Sequence, residues 1–229
     1  DVALGRLVTA NNTTSAVAVT SAAGAITDAG DTGGADITAT DASAEVTLSA
    51  AAGVGSGNAI ETDVALVDVE NTGSNNIDLN ETDGIGINRI DQQVTAGTVN
   101  VDAAGTITVE AGQSGVAAVD GQVELDANGI DSNVVVNDTV ETTSGAINLL
   151  ADNDVSFGAG GDVTASTGGN VTVTADTDGL TDGGTDQGAL TMVNGTVIDA
   201  GSGTIVLDAN EDVALGRLVT ANNTTSAVA

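Results

Sequence analysis

The chain has 229 residues, with 33 acidic side chains against three Arg and no Lys, a formal net charge of −30. Three cations neither neutralise a phosphate backbone nor hold a protein to an anionic bilayer by charge, so nucleic-acid binding and electrostatic membrane adhesion are excluded. Cys, His and Tyr are absent as well, which removes disulfides and the usual nucleophile–base pairs; no enzymatic role is expected.

Apolar residues still make up 41 % of the chain. They recur in one eight-residue pattern: Gly, then branched apolar residues at the third and fifth places, Ala at the seventh and Asn or Asp at the eighth. A first, weaker copy starts at Ser15 (SAVAVTSA) and a second at Ala44 (AEVTLSAA). Residues 51–62 (AAGVGSGNAIET) then lengthen the spacing and read as a loop bulging from a corner. A third weak copy starts at Asn75 (NNIDLNET), the one copy of the eight whose seventh place is neither Ala nor Ser but Glu81. Copies led by Gly follow at Gly97, Gly121, Gly145 and Gly169, spaced 24 residues apart, and a final one at Gly203; that at Gly97 ends in Ala104 in place of Asn or Asp.

Between copies lie further alternating pieces: 83–90, 105–112, 115–120, 153–160, 161–166 and 211–218. Alternation of apolar and polar residues turns one side of a strand inward and the other outward. Three short strands per turn, joined by Gly and Asx corners, describe a parallel β-helix, a β-solenoid. Frequent Gly and β-branched residues, with no 3.6-residue periodicity, predict an all-β fold with no helices. The inward Val, Ile and Leu would stack into ladders along the axis.

Residues 1–18, DVALGRLVTANNTTSAVA, return letter for letter at 212–229, an offset of 211 residues. The intervals between pattern starts, from Ser15 to its second copy at Ser226, total the same 211. The expectation is about eight turns per 211-residue repeat. Residues 1–229 are then one continuous solenoid segment, of which 212–229 begin the next unit, and the partners are identical units stacked end to end. No apolar run is long enough to insert this segment in a membrane.

The pattern stands most fully as GAINLLADNDVSFG at 145–158 and GTIVLDANEDVALG at 203–216. In this form it resembles the repeat regions of bacterial large exoproteins of the filamentous-haemagglutinin type, and the resemblance covers essentially the whole chain. It implies a right-handed parallel β-helix, secreted and displayed at the cell surface as part of a long fibre that serves adhesion. The reading of the residues themselves is a stiff, protease-resistant rod. The alternative is a binding module that recognises a glycan or a surface receptor of other cells through loops 51–62 and 177–188.

No cofactor is expected beyond a hard cation such as Ca2+, which takes several carboxylate and carbonyl oxygens. Asp152 and Asp176 fill the same place in neighbouring pattern copies, so they are expected to stack about 4.8 Å apart. At that distance like charges repel unless a cation or a proton relieves them. Asp176, Asp178, Asp182 and Asp186 form a second candidate set in the long loop. The competing reading makes Asn128, Asp152, Asp176 and Asn210 corner caps, whose side chains bond nearby backbone groups.

Overall fold

The computed structural model describes residues 1–30, 34–177 and 188–229. Every strand pairing among them is parallel, no helix occurs, and the chain coils as a β-solenoid of about nine turns. The first turn comprises β1 (Val2–Leu4), β2 (Leu7–Val8) and β3 (Val17–Ser21), and the second β4 (Ile26–Asp28), β5 (Ile37–Ala39) and β6 (Glu45–Ala50). The third and fourth turns each carry two strands, β7 (Ile60–Val64) with β8 (Leu66–Asn71), then β9 (Ile77–Glu81) with β10 (Ile85–Gln92). Three-strand turns resume with β11 (Val99–Ala103), β12 (Ile107–Val109) and β13 (Gly115–Ala118), followed by β14 (Val123–Ala127), β15 (Val134–Val136) and β16 (Val140–Thr142). The last three turns are β17 (Ile147–Ala151), β18 (Val155–Phe157) and β19 (Val163–Ala165); β20 (Val171–Ala175), β21 (Leu190–Met192) and β22 (Val197–Asp199); and β23 (Ile205–Asp208), β24 (Val213–Ala214) and β25 (Arg217–Val219).

One wall is a nine-stranded sheet in the order β2-β5-β7-β9-β11-β14-β17-β20-β23. Its in-register pairs stack Ile77, Val99, Val123, Ile147, Val171 and Ile205 in one inward column, and Leu79, Val101, Leu125, Leu149 and Val173 in the next. These side chains are fully buried. Thin aliphatic layers thus replace the aromatic core of an ordinary domain, and burial of this kind supplies roughly 25 cal/mol per Å2 of apolar surface removed from water. Phe157, the one aromatic residue, stands in another column between Val136 and Met192.

β1 and β4 form a two-stranded sheet of their own, a fourteen-stranded sheet forms the rest of the wall, and β10 is the seam of that larger sheet. The first half of β10 pairs with β12 and the second half with β13, with the register shifting between Ile87 and Arg89. Ahead of this seam β3, β6 and β8 run as single long strands along the same wall. The end of that stretch carries buried amides: Asn71 Nδ2 donates to Gln92 Oε1 at 3.0 Å, and Gln92 Nε2 donates to the carbonyls of Asn75 and Thr98. These two amides are tolerated inside because each finds partners.

Two sequence expectations change here. The pattern copies at Ser15 and Ala44 form β3 and β6, which lie in the fourteen-stranded sheet, whereas the six later copies lie in the nine-stranded one. An alternation of period two specifies inward against outward and is silent on which wall a strand joins. For the same reason the duplicated eighteen residues take two placements. Val2 pairs with Ile26 but its copy Val213 with Leu190, and Val17 pairs with Val46 but its copy Val228 bridges Ile205.

The segment 51–62 is mostly wall rather than bulging loop. Val54 is fully buried and bridges Ile26 on one side and Ile77 on the other. Residues 60–62 belong to β7, and only Gly57 and Asn58 of the segment are exposed. Gly55, at φ +67°, permits the close pass: a β-carbon there would overlap the carbonyl oxygen of Asp78.

Candidate functional site

The acidic residues divide between outward ladders and two clusters, each gathered about one buried acid, Asp36 or Glu81. In the ladders neighbours share the load. Arg89 Nε lies 2.7 Å from Asp68 Oδ1, with Nη1 3.4 Å from Glu70 Oε1 and 4.0 Å from Asp91 Oδ2. Burial alone would lower the Arg89 pKa, but these three carboxylates more than reverse that and hold it above its usual value. Asp126 is paired in register with Asp102; burial, with Asp102 and Glu124 nearby, raises its pKa.

Asp152 and Asp176 do not stack as the pattern predicts. The Asn128 and Asp152 amides donate to the carbonyls of Ala103 and Ala127, each one turn back, but the next rung of that ladder is the amide of Thr177, on Ala151. Asp176 is an extra residue at φ +65°, and its amide turns to the carbonyl of Asn153. Asp152 Oδ2 accepts the amide of Asp131, itself at φ +59°. Asp152 therefore caps a left-handed corner. Asn128 donates to Asp102 Oδ1. Asp178, Asp182 and Asp186, with most of the 177–188 loop, lie outside the described residues.

Among the described residues, two groups of three carboxylates have donor oxygens within 4.8 Å of one another: Asp28, Asp36 and Glu61, and Asp63, Glu81 and Asp83. The register explains both. Ile37 pairs with Thr62, and the Asp36 amide donates to the Glu61 carbonyl at 2.8 Å, so Asp36 and Glu61 stand side by side in adjacent turns. Thr62 pairs with Glu81, which brings Asp63 and Asp83 to that residue's flanks.

The second cluster is served by protein donors. Glu81 is buried in line with Ala103, Ala127, Ala151 and Ala175 of the following turns. Both of its carboxylate oxygens lie 3.2 Å from the Val64 amide, and Oε1 lies 3.4 Å from the amide of Asp83. Burial still outweighs these bonds and raises its pKa to about 7. A groove of about 320 Å3 opens beside it, with Asp63, Asp83 and Glu110 on its lining.

The first cluster is less complete. Asp36 is only 2 % exposed, and its Oδ2 is buried with no hydrogen-bond partner. Burial first, then the charges of Asp28 and Glu61, raise its pKa to about 7. Asp28 is held by the Gly30 amide on Oδ1 and by the side-chain amide of Asn58 on Oδ2. Sequence reading missed this trio, because its members come from the irregular second and third turns. Only Glu81 carried a visible signal, as an acid in a place otherwise kept for Ala or Ser.

The geometry and topology define a parallel β-solenoid. No family model matches the chain, and neither a curated protein nor a solved structure matches it.

Proposed function

We propose that the chain is a structural period of a long, stiff rod, secreted and displayed at the cell surface as in exoproteins of the filamentous-haemagglutinin type. The observation that carries this reading is how the repeated segment is received. Residues 212–229, identical to 1–18, add β24, β25 and the Val228 bridge onto the preceding turns. The opening of a following unit thus adds strands to columns already present at this end, by pairings with the preceding turns that differ from those residues 1–18 make with the turn after them. The role is mechanical: backbone ladders and aliphatic stacks run along the axis, and strand edges are exposed only where the coil stops.

The adhesin alternative rests on the 177–188 segment, since 51–62 is largely wall. The test is the mass of the denatured chain recovered from its native source. A polypeptide far above 22.0 kDa, growing in steps of 211 residues, supports the rod; a chain carrying one unit beside unrelated domains contradicts it.

A further inference from the structure

We propose that Asp28, Asp36 and Glu61 hold one divalent cation of the calcium class, bridging the second and third turns. Three carboxylates, from the end of β4, the residue before β5 and β7, converge with ligand oxygens within 4.8 Å of one another. Three oxygens spaced no further than that share a point at most about 2.8 Å from each, so a small inward adjustment of the side chains brings all three to the Ca2+–oxygen range of about 2.3–2.6 Å. The acids alone would not point to a ligand, because a chain of this charge has many. The independent observation is Asp36 Oδ2, which is buried and meets no hydrogen-bond donor; the side chain within hydrogen-bond reach of this carboxyl is that of Glu61, another acid. A buried oxygen in that state is costly unless something fills its lone pairs, and a cation between three carboxylates does so.

The supporting residues hold the site in shape. Gly30 and Asn58 orient Asp28 from either side, leaving further lone pairs on each oxygen for a metal. The neighbouring trio differs in this respect, because Glu81 already has backbone donors on both oxygens.

The proposal is independent of the rod reading, since a solenoid in any role would hold the ion in the same way. The test is calorimetric titration of the full chain with CaCl2 at physiological ionic strength, where diffuse counterion binding is screened. The expected result is one saturable site per chain, with affinity reduced about tenfold or more in Asp36→Asn and in Glu61→Gln and unchanged in Glu211→Gln. Should Asp36→Asn fail to fold by circular dichroism, Glu61→Gln carries the comparison, because it keeps the backbone bond between Asp36 and Glu61 and replaces a half-buried side chain. Absence of a saturable site in the wild type overturns the proposal. So does a site that survives these substitutions, or one abolished instead by Asp63→Asn in the neighbouring cluster.

Discussion

The carbonyl oxygen of Gly121 occupies the space where Gly145 would carry a β-carbon. Gly121 stands in the same relation to Gly97, Gly169 to Gly145, and Gly203 to Gly169. None of these five has positive φ, so the pattern's leading glycine answers to close approach and not to turn conformation. Corners that stack at one strand spacing, about 4.8 Å, bring backbone against backbone. Gly145→Ala is expected to destabilise the fold by about 1–3 kcal/mol or more, as overpacking does. Gly5→Ala, with nothing within 4 Å of the added carbon, is expected to stay within about 0.5 kcal/mol of the wild type. Urea unfolding midpoints of the two variants check this.

Glu81 makes stability depend on pH with a definite sign. The folded chain keeps this proton up to about 7, whereas an unfolded Glu releases it near about 4.3. Between those values the folded state binds more protons, so stability falls as pH rises and the contribution is flat above about 7. Asp36 acts in the same direction. In Glu81→Gln the decline is expected to be shallower, by at most about 1.4 kcal/mol per pH unit. Denaturant titrations from pH 5 to pH 8 in a chelator measure it; an unchanged slope in the variant would sink this account of Glu81.

Arg89 relieves three acids at once. Its side chain is about one-third exposed, so solvent limits the gain to roughly 0.2–1 kcal/mol. Arg89→Gln is expected to lose about that much near physiological salt, and more at low salt, where Asp68, Glu70 and Asp91 face one another unscreened. Melting temperatures at two ionic strengths separate this from a packing effect, which salt would leave unchanged.

The solenoid itself was legible in residues such as Val171 and Val173, whose alternation and spacing predict inward strands that stack turn on turn. The wall on which a strand lies was not legible. Val17 and Val46 fit the pattern as well as Val99 does, and they sit in the other sheet, because period two cannot distinguish walls of one coil. The place of Val54 was hidden by its glycine-rich flanks, which look like a loop and instead allow close backbone contact with the turn of Asp78. A single extra residue at Asp176 undid the expected pairing with Asp152. The Asp28–Asp36–Glu61 trio depends on register in turns where the 24-residue spacing fails, so distance along the chain gave no warning of it.

The continuity of the coil from unit to unit is tested most directly by electron microscopy of polypeptides carrying one, two and four copies of the 211-residue unit. Eight turns at one strand spacing each would lengthen the particle by about 38 Å per unit at constant width. Rods that grow by that increment are the expected result. Particles that appear as separate beads with variable gaps, or that widen without lengthening, would contradict it.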